Sequence, residues 1–190
     1  MTLRRDDALK AMIPFVNDRD IVVAVYQSCF DWLALNPRDL NYVAVGAMGQ
    51  ASSHALGLAL ASPERRVLVF DGDGSLLMNL GALVTIAAAA PANLYHFLFA
   101  NRTYEVNGGH PLPGARVVDF AGFARAAGYA DACSFDDPDR FKAALPGLME
   151  APGPRMAVLE IVPGDPYPRD YAYIHSAAAR QSFREALNRR

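Results

Sequence analysis

Val67-Leu68-Val69-Phe70-Asp71-Gly72-Asp73-Gly74-Ser75 is the stretch whose reading decides the fold. Four apolar residues without polar alternation read as a strand buried on both faces. The run ends abruptly in Asp-Gly-Asp-Gly, a turn signal that opens the next helix, expected over about 76–89. A second apolar strand, Leu94 to Phe99, follows and runs into Asn101. A strand, a covering helix and another strand form a crossover unit, the connection that parallel strands require.

The same rhythm extends in both directions. Upstream, residues 4–13 read as a helix, Ile21 to Val25 as a strand, and 29–35 as a helix that stops before Pro37. Tyr42 to Val45 reads as a strand entering Gly46-Ala47-Met48-Gly49, with a helix of small residues over about 50–61. Downstream, a Gly- and Pro-containing loop occupies 101–118. Asp119 reads as an N-cap and Gly128 as the residue just past the helix end. Tyr129 to Ser134 is a weak strand, and Asp137-Pro138 places an N-cap before proline at the first helical position. Ala157 to Val162 is the last strand. Residues 163–175 read as a surface connection to an amphipathic helix over 176–189. The expected fold is α/β, a doubly wound, mostly parallel sheet of about six strands with helices on both faces, in a single domain over 1–190. Ligands of such sheets bind beyond the carboxyl ends of strands. Segments 46–49, 71–75 and 101–110 all fall at such ends.

Composition narrows the classes. Hydrophobic residues are 52% and charged residues 20% of 190, which argues against disorder. Net charge is −2 with scattered Lys and Arg, so no broad footprint for nucleic acid is present. Arg4, Arg5, Asp6 and Asp7 break any early apolar run, so no signal peptide is expected. The uncharged stretch from Gly74 to Asn101 is divided by Pro91 and reads as a buried helix and strand rather than a membrane span. Cys29 and Cys133 have no metal or redox spacing, and the plain reading is a reduced cytoplasmic setting.

The chemistry concentrates at the two strand ends. Glycines 72 and 74 let a ligand approach the backbone, and a helix start offers N–H groups to phosphate. Asp73 supplies a hard oxygen ligand for Mg²⁺, and Asn101 is placed for a second. One cation could then clamp a diphosphate against the helix start. Asp-Gly-Asp-Gly alone reads as a tight surface turn. The paired Asn101 at the end of the next strand is what changes the balance.

Gly72-Asp73-Gly74-Ser75 through Asn101 resembles the motif of thiamine-diphosphate enzymes, which begins Gly-Asp-Gly and ends in Asn about thirty residues on. The resemblance is closer to the cofactor-binding subunit or domain of phosphonopyruvate and sulfopyruvate decarboxylases. It is carried by Gly46-Ala47-Met48-Gly49, by Gly72 to Ile86, and by Tyr104-Glu105 with Gly108-Gly109, and covers roughly residues 20–162. It implies that Asp73 and Asn101 bind Mg²⁺ through side chains and Thr103 through its carbonyl. Gly72, Gly74 and Ser75 would hold the diphosphate, with Tyr104 in the segment covering the cofactor. Met48 would bend the cofactor into a V, and the backbone near Gly46 and Met48 would bond the aminopyrimidine. Met48 read by itself is ordinary core packing.

Two departures from the family pattern stand out. Gln27 occupies the place of an expected glycine in Tyr26-Gln27-Ser28-Cys29, where Ser28 either bonds phosphate or caps a helix. Asn107 and His110 flank the double glycine where the related decarboxylases have a small hydroxyl residue and Gln. His110 is a candidate for proton transfer, with a solvated loop histidine as the plain alternative. Arg102 either binds a substrate anion or is a solvated loop charge. His54 and His96 read as packed, hydrogen-bonded rings.

In this enzyme class a glutamate from a separate pyrimidine-binding domain activates the cofactor. None of Glu64, Glu105, Glu150, Glu160 and Glu185 sits in a segment resembling that domain. The resemblance therefore implies a partner chain supplying the glutamate, in a hetero-oligomer such as a dimer of heterodimers or a larger ring. The expected activity is non-oxidative decarboxylation of a short acidic 2-oxo acid to an aldehyde and CO₂. A carboligase subunit and a non-catalytic cofactor-binding module are the alternatives. The starting helix and strand and the C-terminal helix are read against a clipped fragment.

Overall fold

Val67 and Val69 point to one side of their strand and Leu68 and Phe70 to the other, and all four are buried. That is what a strand covered on both faces requires. The computed structural model describes residues 2–43 and 48–189. Helix α1 (Arg5–Met12) runs into a 3₁₀ turn containing Pro14 and leads to β1 (Ile21–Ala24), α2 (Tyr26–Leu35) and β2 (Asn41–Val43). Then come α3 (Ala51–Ala61), β3 (Val67–Gly72), α4 (Asp73–Leu77), α5 (Gly81–Ala89) and β4 (Leu94–Ala100). A short hairpin of β5 (Thr103–Tyr104) and β6 (His110–Pro111) precedes α6 (Phe120–Ala127), β7 (Asp131–Phe135), α7 (Pro138–Glu150) and β8 (Arg155–Glu160). Helices α8 (Tyr171–Ile174) and α9 (Ala177–Asn188) close the chain.

Six strands form one sheet in the order β2-β1-β3-β4-β8-β7, with every pairing parallel. Helices α3, α5, α6 and α9 bury Ala55, Ile86, Ala124 and Phe183 against one face. Helices α1, α2 and α7 bury Leu9, Trp32 and Phe141 against the other. The doubly wound α/β architecture expected from the sequence is the one found. Among the described residues, no helix is long and apolar enough to cross a membrane.

The caps read from sequence are in place. Asp119 accepts from the Gly122 N–H, Asp137 accepts from the N–H groups of Asp139 and Arg140, and Gly128 takes a left-handed conformation after α6. Several boundaries differ. The helix expected over 29–35 begins at Tyr26, whose φ of 45° turns the chain from β1 directly into α2. The helix expected over 76–89 is two helices, interrupted around Asn79, whose side chain turns away to bond Gly49. The loop 101–118 contains the β5–β6 hairpin, and the connection 163–175 contains α8. Strand β2 is described to Val43, and the remainder of the strand expected to Val45 lies outside the described residues.

Trp32 anchors the second core layer. It is fully buried, meets Phe70 edge-to-face at 4.9 Å, and donates its indole N–H to Asn41 Oδ1 at 2.9 Å. Trp32→Phe keeps a ring but leaves a buried acceptor without its donor and a small void. The change is expected to lower the unfolding free energy by about 2 kcal/mol, read as a lower urea midpoint by circular dichroism. An unchanged midpoint would remove this contact from the account.

Candidate cofactor site at the carboxyl ends of the central strands

Strands β3 and β4 are paired in register from Val67↔Leu94 to Gly72↔Phe99. Parallel pairing delivers the residues that follow them, Asp73 and Asn101, to the same edge of the sheet. Asp73 is 1% exposed. Its Oδ1 accepts from the Gly74 N–H at 2.9 Å and its Oδ2 accepts from the Arg102 N–H at 2.7 Å. The two loops that the sequence motif pairs are thus joined by a hydrogen bond across 29 residues. Burial pushes the Asp73 carboxyl up to about 6, although both N–H groups favour the charged form.

Asn101 is held from two directions. Its Nδ2 donates to Glu105 Oε2 at 2.8 Å. Its Oδ1 accepts from Thr103, from the backbone N–H at 3.0 Å and the hydroxyl at 3.3 Å. The Tyr104 ring lies over Gly74, and a Cβ added there would approach it to 2.7 Å, which is why this position takes glycine. Ser75 Oγ accepts from the Gly49 N–H at 3.0 Å, and Asn79 Nδ2 donates to the Gly49 carbonyl at 2.9 Å. Gly49 itself has φ of 82° and would meet Asn79 Cβ at 3.0 Å with any side chain. Helix α4 and its end therefore hold the turn that carries Met48. Met48 Sδ lies 3.9 Å from Asn107 Nδ2.

These elements line a cleft that is open to solvent on one side. Ser28, Met48, Gly72, Asp73, Gly74, Ser75, Asn101, Thr103 and Tyr104 all line it, as do Gln27 and Glu105. Gly46 lies outside the described residues. Ser28 sits in the first turn of α2 rather than in a separate loop. His110 faces Tyr104 across the hairpin, is exposed, and does not line the cleft.

Arg102 and His54 stand differently from expectation, while His96 is packed as expected. Arg102 is neither a free anion binder nor a solvated charge. It pairs with Glu160, with Nε to Oε2 at 3.0 Å, donates to the Val118 carbonyl, and lies over the Phe120 ring at 5.2 Å. His96 is buried, with Nδ1 3.5 Å from the Tyr129 hydroxyl and Nε2 3.5 Å from Asp71 Oδ2. His54 is exposed and meets Tyr42 edge-on at 5.5 Å, so its expected packing is a surface contact.

The feature that the sequence did not disclose is the floor of the cleft. Arg5, from α1, donates Nε to Asp31 Oδ2 at 2.7 Å and Nη1 to Glu105 Oε2 at 2.6 Å. Burial acts to lower the Arg5 pKa, but the bonds to Glu105 and Asp31 outweigh it and hold it above its ordinary value. Burial raises the Asp31 carboxyl, and Arg5 offsets only part of that. Asp31 Oδ1 also accepts from Gln27 Nε2 at 2.9 Å. No local signal marks Arg5, because its partner Glu105 is 100 residues away.

Residues 25–161 match the family described as thiamine pyrophosphate enzyme, C-terminal TPP binding domain, and the chain belongs to that family. The domain type that defines this family binds thiamine pyrophosphate. Two curated relatives illustrate the range. A phosphonopyruvate decarboxylase of Streptomyces hygroscopicus is 42% identical over 130 residues, covering 68% of this chain and 32% of that protein. A sulfopyruvate decarboxylase subunit beta of Methanothermobacter thermautotrophicus is 37% identical over 165 residues, covering 87% of this chain and 85% of that one. The chain therefore spans about a third of the first relative and most of the second. Among solved structures, a thiamin diphosphate-dependent enzyme from Mycobacterium smegmatis shares the fold with a TM-score of 0.73 at 22% identity, covering 86% of this chain and 32% of that one.

The raised pKa of Asp73 fixes a sign for stability. Its ionised form is disfavoured by folding, so its contribution is greatest below the unfolded pKa of 3.8 and is lost as pH rises through about 6. Asp73→Asn removes this titration. The stability of the ligand-free wild type minus that of the variant is expected to fall by roughly 2 kcal/mol between pH 4 and pH 7, measured by urea unfolding. A difference independent of pH would contradict it.

Proposed function

We propose that this chain is the diphosphate-binding subunit of a split thiamine-diphosphate-dependent 2-oxo-acid decarboxylase, active with a partner chain. The observation that carries the reading is the bond from the Arg102 N–H to Asp73, which holds the Asp-Gly-Asp-Gly turn against the Asn101 loop. A divalent cation fits this place. Asp73 is a buried carboxylate with no ion pair to its own side chain among the described contacts, and the neighbouring donors are oxygens of Asn101 and Thr103. Hard oxygen donors suit Mg²⁺, which completes its shell with phosphate oxygens and water rather than a cage of side chains. Among the described residues no group of three or more His, Cys, Asp or Glu could hold a metal, which agrees with a cation shared with a diphosphate.

In this reading Asp73, Asn101 and the Thr103 carbonyl bind Mg²⁺. Gly72, Gly74, Ser75 and Ser28 surround the diphosphate, with Tyr104 closing over it. Met48 would sit beneath the cofactor's bend, and the backbone at Met48 would bond its aminopyrimidine; Gly46, expected to share that role, lies outside the described residues. When bound, thiamine diphosphate supplies the electron sink for loss of CO₂ from a 2-oxo acid. This chain's residues would hold the cofactor by its diphosphate end.

The activating acid comes from elsewhere in this reading. Among the described residues Glu105 alone of the five glutamates lines the cleft, and it is already bound by Arg5 and Asn101. Glu160 is held by Arg102. A pyrimidine-binding partner chain supplies the missing glutamate, in a hetero-oligomer. The likeness to a protein named subunit beta, over 85% of that protein's length, supports that arrangement. Both named relatives act on pyruvates bearing a second anionic group, and a short acidic 2-oxo acid is the substrate class proposed here. Because Arg102 is committed to Glu160, recognition of that anion falls to the partner or to the covering hairpin, where exposed His110 stands.

Titration calorimetry is expected to show binding of thiamine diphosphate with Mg²⁺ and no comparable binding of ATP or NAD. Asp73→Ala should abolish the Mg²⁺-dependent part, and full affinity in a folded variant would remove the ligand assignment. Co-expression with a pyrimidine-domain chain should give CO₂ from phosphonopyruvate or sulfopyruvate. In that assembly Met48→Ala should lower kcat more than it raises the cofactor's Kd. Release of an acyloin instead of an aldehyde, when an aldehyde acceptor is present, would reassign the subunit to a carboligase.

A further inference from the structure

The floor of the cleft contains a repeated arrangement built on one arginine. Arg5 is 4% exposed and touches two carboxylates, Asp31 on α2 and Glu105 beside the Asn101 loop. Each carboxylate in turn accepts from a side-chain amide. Asp31 accepts from Gln27 Nε2 at 2.9 Å, and Glu105 accepts from Asn101 Nδ2 at 2.8 Å. The two ends of an amide have nearly the same shape, so its orientation is decided by what each end can bond. An ionised carboxylate only accepts, so it selects the nitrogen end. The oxygen end of each amide is then turned the other way.

Both amides line the cleft together with Asp73. Gln27 Oε1 is buried and has no hydrogen-bond partner in the structure. A buried acceptor without a donor is costly unless a ligand provides one. A diphosphate oxygen cannot, because it is itself an acceptor. Water bound to a cation can, since it presents its hydrogens outward.

Resting on the cofactor reading above, we infer that Arg5 is a positioning residue for the divalent cation: through Glu105 and Asp31 it orients Asn101 Oδ1 towards the cation and Gln27 Oε1 towards a water that the cation holds. Partners that orient metal ligands typically change metal affinity by about 10–100-fold when removed.

The test uses the full chain with thiamine diphosphate and Mn²⁺ as the probe, its affinity read by electron paramagnetic resonance and folding by thermal melting. Glu105→Gln removes the carboxylate hold on the Asn101 amide and leaves only the Thr103 bonds to Oδ1, and Mn²⁺ affinity is expected to fall at least 10-fold. Arg5→Lys, which keeps the charge but cannot span both carboxylates in the same way, is expected to fall by a similar or smaller factor. The decisive arm places both changes together. In an Asn101→Asp background there is no amide to misorient, so adding Glu105→Gln should leave Mn²⁺ affinity unchanged or improved. A structural role would lower affinity in both backgrounds, and that result would overturn the inference. So would wild-type affinity in folded Glu105→Gln and Arg5→Lys chains. If the wild-type chain itself binds no Mn²⁺ with thiamine diphosphate, the cofactor reading fails and this inference with it. Binding by the wild type with no loss in the variants removes the inference alone.

Discussion

The parallel pairing of β3 and β4 is the constraint on which the rest of the molecule turns. Two strands run side by side from Val67 and Leu94, and both finish at one edge of the sheet. The turn after the first carries a buried carboxylate, and the turn after the second donates a backbone N–H to it. Neither loop needs to be rigid by its own sequence. Each is held because the ladder beneath it has no freedom to slip, since a shift of one residue would turn Val67 and Val69 to the opposite face. Burial of both faces is therefore what makes the site's geometry reproducible.

That constraint was legible in the chain because it is written in short-range patterns. An unbroken apolar run, a Gly-rich turn, a helix and a second apolar run imply a crossover. The caps at Asp119 and Asp137 follow from side chains that reach only three residues. What local patterns could not show were bonds closed by the tertiary fold. Asn79 looked like one more residue in a long helix, yet its side chain reaches 30 positions back to Gly49 and the helix breaks there. Arg102 sits where an anion binder was considered, yet Glu160, 58 residues away, takes its guanidinium. Arg5 gave no signal, because an arginine near a chain start is ordinarily solvated.

The electrostatics of the cleft are uneven. Around Asp73 the local groups are N–H dipoles, which stabilise negative charge without neutralising it, and burial keeps the carboxyl pushed up. Around Glu105 and Asp31 a full guanidinium is present. One wall thus carries charge compensated by a guanidinium, and the other carries a carboxylate met only by N–H groups among the described contacts. A buried ion pair is weak evidence for stability in itself, and Arg5 makes more sense as a device for specificity of geometry.

The grip of α4 on Gly49 has a bearing on how this scaffold can be altered. Ser75 and Asn79 both lie within the segment that begins Gly-Asp-Gly, but their bonds end on a different loop, the one that presents Met48. The two segments behave as a lock and its strike plate: neither half keeps its shape when transplanted without the other. A chimera that exchanges residues 72–79 between relatives must carry its own matching loop through Gly49, or the bonds that Ser75 and Asn79 make to it are lost.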